Sequence, residues 1–265
     1  MTWEEAVLWL REHKDMQELV RDSYFDDPLL VSAQRFYNST EWKEVQRILS
    51  DLSKGKVLDI GAGRGISSYA LTKDGWDVTA LEPDKSEIVG TGAITKLFEE
   101  AHLSIKIVES FGEELPFADA AFDFVNARQV LHHANDLEKL CSEIYRVLKP
   151  NGMLLASREH VLSKKEDLNS FLESHPLHKF YGGENAYTLT EYMNALDKAG
   201  FIEARILETY DSDINLFPSS KEEILKSIKQ KIRFNPPNFL FNLYLRRLNK
   251  KNNVAGRLFS FICKK

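Results

Sequence analysis

The sequence predicts an α/β protein: a seven-strand sheet with helices on both faces. Three observations carry this. Short apolar strands alternate with stretches of helical period, a glycine-rich turn follows the first strand, and caps and stops punctuate the alternation. The chain has 265 residues, is 43% hydrophobic and 28% charged, and carries a net charge of -5. That composition suits a folded chain with a sizeable core. No apolar run approaches the roughly 18 residues of a membrane span. The acidic start Met1-Thr2-Trp3-Glu4-Glu5 lacks the basic and apolar regions of a signal peptide, so the expected location is cytoplasmic. The only cysteines, Cys141 and Cys263, are too few for a disulfide framework and have no metal-ligand spacing.

Two N-terminal helices are expected, over residues 3–20 and 41–52, with Asp26-Asp27-Pro28 as a break between them. Residues 56–60 read as the first strand, 66–73 as a helix, 77–81 as the second strand and 88–101 as a helix. Strands follow at 105–109 and 122–127. Asn135 and Asp136 can cap a helix whose apolar residues recur at Leu137, Leu140, Cys141, Ile144 and Val147, stopped by Pro150-Asn151-Gly152. The fifth strand is 153–157. Thr188 and Glu191 stand at capping-box spacing before another helix, which Gly200 stops. Strands six and seven are 201–209 and 258–263. Between them residues 211–257 form an insertion, where Ser220 with Glu223 can start one helix and Pro236-Pro237 another. The expected organisation is a helical cap (1–52), a core (53–210), a basic helical insertion (211–257) and a final core strand (258–265).

Gly61, Gly63 and Gly65 alternate directly after the first strand, where glycine permits a tight bend and close approach of a ligand to the backbone. Glu82 closes the second strand about twenty residues on, placed to accept the two hydroxyl hydrogens of an adenosine ribose. A carboxylate there suits NAD as well. Asp59 ahead of the loop, and Gly-x-Gly-x-Gly in place of Gly-x-Gly-x-x-Gly, favour a different adenosine cofactor.

Further along stand Gly112-Glu113-Glu114-Leu115-Pro116-Phe117, then Phe122-Asp123-Phe124-Val125, Val130-Leu131-His132-His133 and Arg146-Val147-Leu148-Lys149-Pro150-Asn151-Gly152. With the glycine loop and Glu82, these motifs resemble the class I S-adenosylmethionine-dependent methyltransferases, closest in style to the small-molecule branch that includes quinone-biosynthesis C-methyltransferases. The resemblance covers roughly residues 55–157. It implies a Rossmann-like seven-stranded mixed sheet whose last strand is antiparallel, with S-adenosyl-L-methionine across the carboxyl ends of the first strands. Carried over by position, Asp59, Gly61, Ala62, Gly63 and Gly65 line the methionine and ribose. Glu82 holds the ribose, Pro83 and Asp84 flank the adenine, and Arg128 with Gln129 face the methionine. Where relatives often have Gly-Asp-Ala-Glu, this chain has Ser110-Phe111-Gly112-Glu113. Phe111 then either stacks on the adenine, with Gly112 contributing a backbone contact, or packs in the core.

Methyl transfer is an in-line displacement, so the protein positions the partners and supplies a base where the acceptor must lose a proton. Candidate bases are His133, His160, His175 and His178; in the resembled family His132 and His133 often have a structural role instead. The segment from His175 to Tyr187 crowds two His, two Tyr, Glu and Asn around Gly182-Gly183. His178, Tyr181, Glu184 or Tyr187 is expected to meet the acceptor, the alternative being a loop whose polar groups satisfy one another. No metal is expected at His175-x-x-His178, which has no Cys or further His nearby at ligand spacing. Asn235-Pro236-Pro237-Asn238 is similar to an Asn-Pro-Pro-Tyr motif of amino-group methyltransferases, but lies far from the fourth strand and reads as a helix start. Phe36 and Tyr37 either cap the cofactor or pack in the core.

From Lys221 onward the chain carries twelve Lys/Arg against Glu222 and Glu223 alone. This asymmetry suits either a solvated surface or an anionic partner, such as a phosphorylated or lipid-linked acceptor at a membrane surface. No nucleic-acid partner is expected, because the first 220 residues carry no basic stripe. The expected activity is methyl transfer to a small molecule. The alternatives are a nicotinamide-dependent oxidoreductase and a cofactor-binding module without turnover.

Overall fold

A computed structural model describes residues 1–232 and 236–265. Asn235 of the Asn-Pro-Pro stretch lies outside the described residues. Four helices precede the sheet: α1 (Trp3–Glu12), α2 (Gln17–Asp22), α3 (Leu29–Tyr37) and α4 (Thr40–Ile48). The expected helix over 3–20 is thus two helices, joined by a 3-10 turn at Lys14–Met16. Gln17 explains the break, because its side chain donates to the carbonyls of Arg11 and His13 and satisfies the end of α1. The helix α3, not foreseen in the sequence, begins directly after Pro28.

The sheet and its covering helices follow: β1 (Lys56–Ile60), α5 (Ile66–Lys73), β2 (Asp77–Leu81), α6 (Thr91–Glu100), β3 (Lys106–Val108), β4 (Phe122–Arg128), α7 (Leu137–Val147) and β5 (Leu148–Leu162). Beyond them come α8 (Leu168–Ser174), α9 (His178–Tyr181), β6 (Tyr187–Thr188), α10 (Leu189–Ala199) and β7 (Ile202–Leu207). Three helices, α11 (Asp213–Leu216), α12 (Lys221–Ile232) and α13 (Asn238–Lys251), connect β7 to β8 (Arg257–Lys264). Strand order is β3-β2-β1-β4-β5-β8-β7, with β6 beside the end of β5. Strands β1 to β5 are parallel, and β8 runs antiparallel to both β5 and β7. This is the expected Rossmann-like mixed sheet. Its eighth strand is the two-residue β6, too short to leave a period in the sequence.

The strands carry apolar residues on both sides because both faces are covered. On one face α7 and α10 close a core around Leu58, Val125, Leu154 and Phe261. On the other, α3 to α6 pack on Val57, Val78, Phe124 and Leu155. The largest departure from the sequence reading is β5, which continues past Ser157 to Leu162. A register irregularity against β8 between Ala156 and Glu159, with Arg158 at φ 61°, bends the strand there. Arg158, Glu159 and His160 are thereby buried.

Candidate active site

Strand order reverses between β1 and β4, and a cavity of about 710 Å³ opens over the carboxyl ends of these strands. Ligand crevices of open α/β sheets lie at this switch point, and the volume is in the usual range of roughly 300–1,000 Å³ for ligand pockets.

The floor is built by the turn after β1. Gly61 has φ +61°, and a Cβ there would stand 2.7 Å from Val130. Gly65, at φ +82°, caps α5 and does not line the cavity, so its place is in the turn itself. Beneath the turn Asp59 is fully buried. It accepts hydrogen bonds from Ser68 Oγ at 2.5 Å and Asn126 Nδ2 at 2.7 Å, and burial pushes its carboxyl up to about 6. Glu82 lies at the end of β2, buried, with Oε2 accepting from the Gly63 amide at 2.7 Å and Oε1 from Asp84 at 3.0 Å. Burial raises its carboxyl, and the two amides oppose that rise.

Arg64 ties the glycine turn to the N-terminal helices. It donates to the carbonyls of Tyr24 and Asp26 and to the Asp27 carboxylate. From β4, Arg128 makes a bidentate pair with buried Glu41 at 2.6 and 3.0 Å and reaches Gln129 Oε1 at 3.1 Å. Gln129 itself sits at φ 58°. Ala62, Pro83, Asp84, Gly112, Glu113, and both Arg128 and Gln129 line the cavity. Phe111 does too, 64% exposed at the rim, which sets aside its reading as a core aromatic. Phe36 does not. It is buried against Trp42 and Tyr24, and the Tyr37 hydroxyl donates to Asp74, so these two aromatics serve packing.

The opposite wall is polar and comes from distant parts of the chain. Buried Glu159 accepts from the amides of Val130 and His132 and contacts His132 Nδ1 at 2.6 Å. Burial pushes the Glu159 carboxyl up to about 7 and holds the His132 imidazole well below its ordinary range. His160 Nδ1 donates to the Gly256 carbonyl at 2.8 Å, and burial pushes this ring down to about 3. His133 Nδ1 donates to the Gly183 carbonyl at 3.0 Å. Glu184 accepts from the Tyr181 hydroxyl at 2.5 Å, and its oxygens lie 3.9 to 4.0 Å from His132, His133 and His175. Burial raises the Glu184 carboxyl, but the facing His133 and His175 outweigh that and leave it below the usual range.

Of the residues expected to meet an acceptor, His133, Tyr181 and Glu184 line the cavity. His178 and Tyr187 lie outside it, and the Tyr187 hydroxyl donates to the Ala134 carbonyl instead. Leu10, Val20 and Leu177 form a small apolar cluster with Trp3, Phe25 and Tyr181, by which α1 and α2 close over this wall. Tyr24, Arg158 and Trp3 line the cavity without any sequence motif to mark them. Tyr24 could have drawn attention only as a tyrosine just ahead of Asp26-Asp27-Pro28.

Residues 58–156 match the family described as Methyltransferase domain. These residues form a class I, S-adenosyl-L-methionine-dependent methyltransferase domain. A ubiquinone biosynthesis O-methyltransferase of Rickettsia conorii is 31% identical over 114 residues, 43% of this chain and 38% of that relative. The match therefore spans well under half of that relative's length. Its name carries O-methylation, where the sequence resemblance pointed to the C-methylating kind. In fold, a putative sarcosine dimethylglycine methyltransferase from Galdieria sulphuraria superposes with a TM-score of 0.60 at 21% identity, covering 91% of this chain and 89% of that one. Phosphoethanolamine N-methyltransferase 2 of Haemonchus contortus, solved in complex with S-adenosyl-L-methionine, gives 0.56 at 20% identity, covering 93% and 59%. The cofactor of the methyltransferase domain is S-adenosyl-L-methionine. The residues present fit it: Gly63 has open space where a Cβ would stand, and the buried Glu82 carboxylate keeps free lone pairs for ribose hydroxyls.

Proposed function

We propose that the protein transfers a methyl group to a small-molecule acceptor bound between the glycine turn and the wall formed by His133, Tyr181 and Glu184. One observation supports this above the others: a single cavity is lined both by Gly61, Gly63 and Glu82 and by that wall. When bound, S-adenosyl-L-methionine supplies an electrophilic methyl group to a nucleophilic atom of the acceptor. Glu82 and the amides of the turn orient the adenosine half. Asp59, held by Ser68 and Asn126, fixes the turn from below. Trp3, Phe25 and Leu177 restrict water at the acceptor end. His133, its Nδ1 hydrogen committed to Gly183, presents Nε2 as a proton acceptor for an acceptor hydroxyl or amine.

A phosphorylated or lipid-linked acceptor is the finer reading. Helix α13 leaves Phe239, Leu240, Leu243 and Tyr244 exposed while Arg246, Arg247, Lys250 and Lys251 follow in its second half. An exposed apolar row beside a basic cluster suits the surface of an anionic bilayer. No helix among the described residues is long and apolar enough to cross a membrane. The direct test is transfer of labelled methyl from S-adenosyl-L-methionine into a pool of phenolic, amine and phospho-amine acceptors. No labelled product from any class, with cofactor binding intact, would favour the module without turnover.

A further inference from the structure

We propose that His132, His160, His175 and Glu184 form a binding site for one divalent transition-metal ion, such as zinc, in the acceptor wall of the cavity. Ligand atoms of His132, His160 and Glu184 all lie within 4.8 Å of one another. His132 Nε2 is 3.9 Å from Glu184 Oε2, and His175 Nδ1 is 3.9 Å from Glu184 Oε1. Zinc with nitrogen and oxygen ligands at about 2.0–2.2 Å needs these atoms somewhat closer together. Glu184 can supply that movement, because it follows Gly182-Gly183 and Gly182 already sits at φ 72°.

The stronger argument is how the rings are held. His132 turns Nδ1 to the Glu159 carboxylate, which already accepts two backbone amides, and His160 turns Nδ1 to the Gly256 carbonyl. Both imidazoles then keep an unprotonated Nε2. A carboxylate or carbonyl behind the far nitrogen is the usual second contact of a metal-bound histidine. His175 Nδ1 is buried and has no hydrogen-bond partner. A buried nitrogen left unpaired is costly unless something not made of protein meets it.

Three imidazoles and one carboxylate favour zinc, iron, cobalt or nickel over magnesium and calcium, which prefer all-oxygen shells. The sequence pointed away from a metal because His175-x-x-His178 has no further ligand nearby. The fold supplies partners from the turn after β4 and from β5, and leaves His178 outside the cavity. All four proposed ligands line the cavity, so the ion would sit in the wall of the acceptor space. This proposal does not depend on the methyl-transfer reading.

The test uses the untagged 265-residue chain, stripped with chelator and dialysed against zinc or cobalt(II). One zinc ion per chain is expected, and cobalt(II) should give the visible absorption of a low-coordinate nitrogen and oxygen site. His160→Ala and Glu184→Gln should each weaken zinc binding at least about tenfold, and His178→Ala should leave it unchanged. If these variants misfold, X-ray absorption of the zinc-loaded wild type decides, through the scattering expected from several imidazoles. Substoichiometric zinc after dialysis, a spectrum without imidazole scattering, or equal affinity in folded His160→Ala and Glu184→Gln would overturn the proposal.

Discussion

Arg64, in the glycine turn, donates from Nη2 to the Asp27 carboxylate at 2.5 Å while its other amino group holds the carbonyls of Tyr24 and Asp26. The glycine turn and the Tyr24–Asp27 segment are therefore one mechanical unit. The Arg64 side chain is only 6% exposed, and losing it leaves the buried Tyr24 carbonyl without a donor, while the Asp26 carbonyl keeps Ser32 Oγ.

Arg64→Ala is accordingly expected to destabilise the apo protein by about 2 kcal/mol, read from urea unfolding, and to weaken binding of S-adenosylhomocysteine. A variant that keeps wild-type stability and affinity would show the two elements to be independent.

Gly61→Ala places a methyl group 2.7 Å from Val130 on a residue with φ +61°. The left-handed backbone alone costs about 1–2 kcal/mol, and relief of the contact must move Val130 on the cavity wall. Lower stability together with poorer cofactor binding is expected from melting and calorimetric titration. An unaffected affinity would mean that the turn relaxes freely.

Asp59 makes stability depend on pH in a stated direction. Its folded value of about 6 lies above the ordinary 3.8. Between these values the unfolded chain has released the proton and the folded protein has not, so the apo protein should lose stability as pH rises from about 4 to about 6. The loss is on the order of 3 kcal/mol at most. Asp59→Asn should flatten that part of the profile. Unfolding free energies measured across this range would contradict the burial argument if wild type and variant ran parallel.

Helix α13 should bind vesicles containing phosphatidylserine at low salt and release them as salt screens its Arg and Lys side chains. Replacing exposed Phe239 and Leu243 by Ser should abolish sedimentation with vesicles while preserving the fold. Equal binding by the double variant, or none by the wild type, would remove the membrane reading.

The parallel half of the sheet was legible because each strand there is short, apolar and bounded by a turn. Strands β1 and β2 and helix α5 occupy the residues that the pattern gives. Caps were equally readable: Thr188 with Glu191 exchange both bonds of a capping box, and so do Ser220 and Glu223. Where the sequence misled, long-range pairing decided. Glu159 and His160 look like polar residues past a strand end, yet pairing of β5 with β8 carries them into the interior. The glycine turn and Glu82 were visible as local motifs, whereas the wall joins His132, His160, His175 and Glu184 across 52 positions of sequence, a relationship that no local spacing records.

The measurement closest to the central reading is calorimetric titration of wild type and Glu82→Ala with S-adenosylhomocysteine and, separately, NADH. Micromolar binding of S-adenosylhomocysteine, weakened about 30-fold or more by loss of charge-assisted bonds to the ribose, with no response to NADH, is the expected result. Unchanged affinity in Glu82→Ala, or binding of NADH alone, would contradict it.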